Sequence, residues 1–307
     1  MPLNSRAVML ALAKSDTIKR TLVRNGVSKG IVQRFVAGET LEDALNTARR
    51  LQEKKIGTAF DFLGENVATE QEACVATDAY IRVLDAVAKA GLPSPYISIK
   101  LTALGLDLSD AMAAQNLFRI LEAARAHQDA FVRVDMEGSA YTQRTLDIVR
   151  AARREYGNVG TVLQSSLRRT DADLELLITE GISVRLVKGA YAESSATAFS
   201  DKADVDTAYV RQMKALLLHG KHPAIASQDE AILHEAKRFV RENGVENDRY
   251  EFQMLLGIRR DLQETLAQEG YHVRAYVPFG ASWYPYFMRR LAERPANVAF
   301  ILRNLLR

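Results

Sequence analysis

Two successive arginines, Arg289 and Arg290, lie at three- and four-residue steps from a phenol, Tyr286, and a carboxylate, Glu293. On a helix these four side chains share one side. A guanidinium pair suits bidentate capture of a small carboxylate; on a plain helix surface the same four residues would be a solvated dibasic face. A second concentration of cations is Arg185-Leu186-Val187-Lys188, followed by the small residues Gly189 and Ala190. A bend there would let backbone approach a planar, anionic ligand. A lysine in such a place has a rival use as a Schiff-base nucleophile, and both Lys188 and Lys100 qualify. Single polar residues also recur at or near the ends of short apolar runs: Glu65, Lys100, Asp135, Gln164, Gln228 and Gln253.

The elements that must position these residues alternate along the chain. Short apolar or β-branched runs occupy 56–63, 95–103, 130–136, 158–166, 182–188, 222–228, 250–256 and 271–279. Between them lie amphipathic stretches near 70–90, 110–127, 141–155, 171–180, 205–218, 229–243 and 259–269. Eight strand-then-helix repeats imply a parallel sheet closed into an α/β (β/α)₈ TIM-type barrel. An open doubly wound sheet is the alternative, and no run is followed by the Gly-x-Gly-x-x-Gly turn of its dinucleotide-binding members. Residues 1–55 read as an N-terminal helical segment, with Thr40 and Asp43 placed as a capping box, and 56–307 as the barrel domain. Ser282 can cap a final helix that tolerates Pro285 in its first turn and leans over the barrel mouth. Chemistry in a barrel belongs at the C-terminal ends of its strands, where the polar residues fall.

Bulk properties narrow the class. The chain has 307 residues, 48% hydrophobic and 26% charged, with a net charge of +3 and its charges interspersed, so nucleic acid is not implied. One cysteine, Cys74, leaves no disulfide framework or cysteine-based zinc site and points to a reducing compartment. No run reaches the ~18–20 apolar residues of a membrane span, so a cytoplasmic protein, at most peripheral at the inner face of a membrane, is expected. The apolar stretch 7–13 briefly resembles an export-signal core, but Lys14-Ser15-Asp16 continues the helical pattern. No metal site is expected.

Several motifs occur in order from about residue 56 to the C-terminus: Leu63-Gly64-Glu65, Ser98-Ile99-Lys100-Leu101, Val134-Asp135-Met136-Glu137, Gln164, Arg185 to Tyr191, Glu251 to Gly257, and Tyr286 to Glu293. Together they resemble the proline dehydrogenase family, in its short monofunctional bacterial form and in the corresponding module of bifunctional proline-utilisation proteins. The resemblance implies FAD as cofactor and L-proline as substrate. The product would be Δ1-pyrroline-5-carboxylate, left to a separate pyrroline-5-carboxylate dehydrogenase, and a membrane quinone would take the electrons. Arg289 and Arg290 would bind the proline carboxylate, with Lys100, Leu255, Tyr276 and Tyr286 shaping the pocket. Asp135 and Arg185 would be the catalytic pair, Arg185 beside the flavin ring. Met136, Gln164, Lys188, Gly189 and Ala190 would hold the flavin, with Gln253 beside them. Strand six departs from the bifunctional pattern, which has a Thr-His-Asn run where this chain has Ser227-Gln228-Asp229, and Ser227 and Gln228 would make the flavin contact there. Glu65, after strand one, would meet Arg289 as a gate ion pair across the seam between the first and last strands. The five histidines fall on helices or strand starts, so no dedicated protein base is expected.

Overall fold

The computed structural model describes residues 32–292, the last four of them by backbone alone. Eight strands, each followed by a helix, close into a parallel barrel in chain order, β1 pairing with both β2 and β8. The strands are β1 (Ile56–Phe62), β2 (Tyr96–Ile99), β3 (Phe131–Val134), β4 (Val159–Gln164), β5 (Ser183–Val187), β6 (Ala224–Ala226), β7 (Glu251–Leu255) and β8 (Val273–Phe279). Helix α1 (Leu41–Gln52) precedes them, and its Thr40–Asp43 capping box is formed as its sequence predicts. The helices that follow the strands are α2 (Glu70–Lys89), α3 (Asp110–Arg125), α4 (Ser139–Arg153), α5 (Thr170–Thr179), α6 (Lys202–His219), α7 (Glu230–Glu242), α8 (Arg260–Gln268) and α9 (Trp283–Ala292). Cys74 lies in α2, exposed and unpaired with any other cysteine. The stretch 7–13 falls outside the described residues. Among those described, no helix is long and apolar enough to cross a membrane.

Strand alternation divides the side chains into two sets. Ile97, Ile99, Val132, Val134, Val184, Leu186, Ile225, Phe252 and Met254 turn outward and join the helices in the main apolar core. The pairing Arg133↔Gly160↔Ser183, with Arg185↔Ala224↔Glu251, carries one facing around the ring. The inward set is therefore polar, with Ser98, Arg133, Arg185, Gln253 and Asp61 all buried. Gly160 is required by it: a Cβ there would lie 2.6 Å from the Arg133 guanidinium and 2.5 Å from the Ser183 carbonyl.

Several apolar runs overreach the strands they contain. After Ile99 the chain turns into a 3-10 helix, Leu101–Leu104, that stops at left-handed Gly105. Its Thr102 amide and hydroxyl both donate to Glu137, at 3.2 and 2.6 Å, bonds that a straight β2 to residue 103 could not make. Lys100 thus stands one residue beyond β2, Asp135 one beyond β3 and Lys188 one beyond β5. β6 is the shortest strand, and Gln228 lies two residues past it.

Candidate active site

The C-terminal mouth is built from the inward residues that end the strands. Asp135 is at its centre. One carboxylate oxygen accepts from Arg185 Nη1 at 2.7 Å and the other from the Tyr276 hydroxyl at 2.7 Å, joining β3, β5 and β8. Arg185 is completed by Gln253 Oε1, which accepts from its Nε at 2.5 Å, and by the Ser98 hydroxyl at 2.9 Å. Its guanidinium carbon lies 5.3 Å from the centre of the Tyr276 ring. Lys100 Nζ donates to Asp61 Oδ1 at 3.2 Å and lies 3.9 Å from Asp135 Oδ2.

These charges alter one another. Burial works against the Lys100 ammonium, but Asp61 and Asp135 outweigh it and hold Lys100 well above the ordinary lysine range. Burial also opposes the Arg185 charge, again outweighed by Asp135, so the guanidinium titrates higher than usual. Burial next to Asp135 and Asp61 pushes the Tyr276 phenol far up, keeping it a protonated donor. Asp61 and Glu137 are both raised by burial; Lys100 partly offsets the first, and bonds from Thr102 partly offset the second.

Below this layer a second one supports it. Tyr96 Oη accepts from Gln253 Nε2 at 3.2 Å and from Arg133 Nε at 2.9 Å. Arg133 also donates to the carbonyls of Thr161 and Ser183 and to the Ser183 hydroxyl. Glu251 pairs with Arg274 at 3.0 Å and accepts from Gln253. A cavity of about 230 Å³ opens beneath, at the N-terminal end, with Arg133, Glu251 and Arg274 among its walls. Each of these three side chains is already held by protein partners, which makes this the foot of the scaffold and not the place for chemistry.

The flank from β4 to β7 differs in character. Gln164 donates to the Glu137 carbonyl at 2.9 Å, beside buried Met136. Gly189 has φ +110°, and a Cβ there would strike the Ser166 hydroxyl at 2.2 Å, so the bend after β5 demands glycine. Ala190 follows it at the surface. Lys188 does not join the central cluster; its ammonium is held by Asp206 at 2.5 Å and Asp229 at 2.9 Å. Asp229 N donates to the Ser227 hydroxyl, and the Gln228 side-chain carbonyl accepts from Leu255 N at 3.4 Å.

Helix α9 lies over the mouth through a separate apolar cluster. Trp283, Tyr284, Tyr286, Phe287 and Met288 pack with Leu63 and Ile258 and with Phe35 and Val36, against Leu255 and Tyr276. Trp283 also donates to Glu39 at 2.8 Å. The side chains of Arg289 and Arg290, and all of Glu293, lie outside the described residues, so the partner expected for Glu65 does too. Half-buried Glu65 is close enough to the mouth to add to the field on Lys100.

A sequence model of the family described as Proline dehydrogenase matches residues 44–303. The chain belongs to this family. Proline dehydrogenase 1 of Bacillus subtilis subsp. natto is 40% identical over 302 residues, 98% of this chain and 99% of that one. The proline dehydrogenase of Deinococcus radiodurans is 40% identical over 282 residues, 90% of each. Among solved structures, proline utilization A from Bdellovibrio bacteriovorus superposes with a TM-score of 0.82 at 24% identity, over 94% of this chain and 36% of that one. The last is a likeness of fold, and this chain spans about a third of that protein. Family membership makes the protein an oxidoreductase of the proline dehydrogenase type with a TIM-type barrel.

Asp61, Tyr96, Arg133 and Arg274 carry no motif in the sequence, and Ser98 and Glu251 stand in motifs there without a role of their own. For all but Asp61 the signal is the i, i+2 step: Tyr96 with Ser98 and Lys100, Arg133 with Asp135, Glu251 with Gln253, and Arg274 with Tyr276 put polar side chains on one strand face.

Proposed function

We propose that the protein is an FAD-dependent L-proline dehydrogenase that oxidises L-proline to Δ1-pyrroline-5-carboxylate and passes the electrons to a membrane quinone. The observation that carries this is the buried Asp135–Arg185–Gln253 cluster, with the Tyr276 phenol, under the apolar underside of α9 at the C-terminal mouth. The residues present suit a flavin. A planar, hydrogen-bonding ring needs an apolar wall, for which Met136 and Leu255 serve, and fixed donors, for which Gln164 and Arg185 serve. The Gly189 bend brings bare backbone to the surface of this flank, packed on Ser166, and Ser165 has a buried hydroxyl with no protein partner. Lys188, Gly189 and Ala190 would take the phosphate-bearing part, with Ser227, Gln228 and Gln253 along the β6 and β7 side.

When bound, the flavin supplies the acceptor for the hydride leaving the substrate carbon. This chain's residues do the rest. Arg289 and Arg290 clamp the carboxylate, which fixes the ring and contributes through orientation. Leu255, Tyr276 and Tyr286 close around the ring and exclude water. Asp135 keeps Arg185 and Tyr276 in place, and the cationic Arg185 favours negative charge on the acceptor. Glu65 and Arg289 would form the gate. The catalytic domain is assigned to 56–307 and the N-terminal helical segment to 1–55, with action at the cytoplasmic face of a membrane and release of the imine to a separate dehydrogenase.

A Schiff-base aldolase fits less well. Such a lysine must be neutral to attack a carbonyl, whereas Lys100 is held cationic by two carboxylates and Lys188 is locked between Asp206 and Asp229. The test is an absorption spectrum of the purified protein before and after anaerobic L-proline. A flavin spectrum that bleaches supports the reading; a protein that stays colourless after reconstitution with FAD refutes it.

A further inference from the structure

Asp61 has no role in the function proposed above, yet it is completely buried, the last inward residue of β1, beside Ser98 of β2 and Pro278 of β8. A carboxylate in that position costs free energy unless it is paired. Its pairing is incomplete: Oδ1 accepts from Lys100 at 3.2 Å, while Oδ2 makes no hydrogen bond of ordinary geometry. The Tyr276 hydroxyl is near enough to ease the Asp61 charge, but its single proton is directed at Asp135, 2.7 Å away.

Lys100 has a choice of carboxylates, and the consequences differ. Asp135 is fully committed, Oδ1 to Arg185 and Oδ2 to Tyr276. Lys100 lies 3.9 Å from that second oxygen. A lysine without Asp61 would have one close carboxylate left, and taking it would mean competing with the Tyr276 hydroxyl for Oδ2. Two cations on Asp135 would also weaken its hold on Arg185.

We propose that Asp61 is a positioning residue: it keeps Lys100 charged at the mouth and holds it off Asp135, so that Asp135 remains divided between Arg185 and Tyr276. Groups facing Lys100 come from every side: Asp61 of β1, Glu65 after β1, Tyr80 of α2, and Asp135 and Glu137 after β3. Tyr276 of β8 and Arg185 of β5 act on the same carboxylates. Of these carboxylates, Asp61 has the shortest contact to the ammonium. Removing it should therefore bring the Lys100 titration down, because burial then acts against the charge with less opposition.

The test is competitive acetylation of the purified, cofactor-loaded protein with acetic anhydride across pH 7–11, each lysine followed by peptide mass spectrometry. Exposed Lys202 is the internal reference. In Asp61→Asn, Lys100 should acetylate about 10-fold faster relative to Lys202 near pH 9, a displacement of about one pH unit. Asp61→Glu should restore much of the protection. The alkaline limb of proline:dye reductase activity should move to lower pH in Asp61→Asn as well; that arm alone rests on the proline-oxidising function. A protein that failed to oxidise proline would leave the acetylation result decisive for Asp61. Superimposable Lys100 profiles in wild type and Asp61→Asn overturn the proposal. If Asp61→Asn does not fold, Asp61→Leu combined with Lys100→Leu decides: recovery of folded protein locates the fault in the unpaired lysine, and failure to recover assigns Asp61 a packing role and overturns the proposal.

Discussion

Removing the Asp135 carboxylate and the Tyr276 hydroxyl, singly and together, measures the contact on which the mouth is organised. Asp135→Ala leaves the Arg185 guanidinium, 5% exposed at its side chain, with only the neutral Ser98 and Gln253 as partners. Breaking a buried pair from one side typically costs ~3–5 kcal/mol because the survivor is an uncompensated charge. Tyr276→Phe removes one hydrogen bond to a carboxylate, ~1.5–3 kcal/mol, and leaves the Arg185 contact in place. Its cost should fall at the lower end, since Lys100 starts 3.9 Å from the vacated oxygen and can move in. Once Asp135 is gone, the Tyr276 hydroxyl has lost the acceptor it holds at 2.7 Å, and deleting it removes at most a weaker contact to Asp61. The double variant should therefore be about as stable as Asp135→Ala, with a coupling of ~1.5–2 kcal/mol. The assay is urea unfolding at equilibrium with an unchanged denaturant slope across the four proteins. Additivity within ~0.5 kcal/mol would show that the 2.7 Å contact contributes nothing of its own and would refute the organising role given to Asp135.

Glu65→Ala should leave the melting temperature nearly unchanged and weaken proline binding moderately, since an ion pair at the rim of the mouth would contribute only ~0–1 kcal/mol to stability. Arg289→Met and Arg290→Met should each cost ~2–3 kcal/mol in kcat/KM by loss of a charge-assisted carboxylate contact; near-normal steady-state kinetics in either would discard the clamp. Tyr286, buried on α9 against Tyr276 and Leu255, should exclude a 4-hydroxyl, so proline is preferred to 4-hydroxyproline. Tyr286→Ser should narrow that preference mainly by losing efficiency on proline, and an unchanged ratio of kcat/KM values places Tyr286 outside the pocket. Glu251 supplies an acid limb of known sign. Arg274 and its other neighbours outweigh burial and hold its carboxyl below the usual 4.5, so its stabilisation is complete above that pH and is lost as the pH falls through the depressed value. In Arg274→Leu, burial acts with less opposition and raises the carboxyl, so this contribution should reverse and rise with acid; urea midpoints of both proteins between pH 3 and 7 would show whether it does.

The barrel was legible because every strand from Ile56 to Phe279 is a short apolar run followed by an amphipathic stretch, a pattern set by local propensity and burial. Strand ends were less legible. Lys100 reads as a continuation of Tyr96–Ile99 because the 3-10 turn after it is itself apolar, and what ends β2 is a contact to Glu137, 35 residues away. At the site, Asp135, Arg185, Gln253 and Tyr276 were identified and do meet. Asp61 was overlooked inside the apolar run Ala59-Phe60-Asp61-Phe62, where only the strand's facing reveals that its carboxylate turns inward. The roles of Ser98 and Tyr96 are not legible because a hydroxyl in a strand is commonplace; their meaning depends on which guanidinium lies across the barrel. Lys188 carries the same lesson in reverse, since its pairing with Asp206 and Asp229 joins three separate elements and has no local signal.

The density of charge inside this barrel bears on how the mouth keeps its geometry. Barrel interiors are ordinarily filled by layers of Val, Ile and Leu, and buried ion pairs are weak evidence for stability because desolvation offsets their attraction. Here Arg133, Arg185 and Glu251 are each 4% exposed or less, and Gly160 exists at the size that Arg133 needs. A tie built for stability would stop at a single pair. This one continues: Arg133 fixes the Tyr96 hydroxyl, Tyr96 and Glu251 fix the Gln253 amide, and Gln253 in turn presents its carbonyl oxygen to Arg185 Nε. Because the Gln253 amide nitrogen is spoken for from below, its oxygen has to point up, and Arg185 receives the acceptor that sets the plane of its guanidinium. Asp135 and Ser98 then hold the two terminal nitrogens. With Nε and both terminal nitrogens each bonded to a residue from a different part of the barrel, Arg185 cannot rotate or withdraw without breaking several buried bonds at once, so the lower layer fixes the orientation of the cation at the mouth.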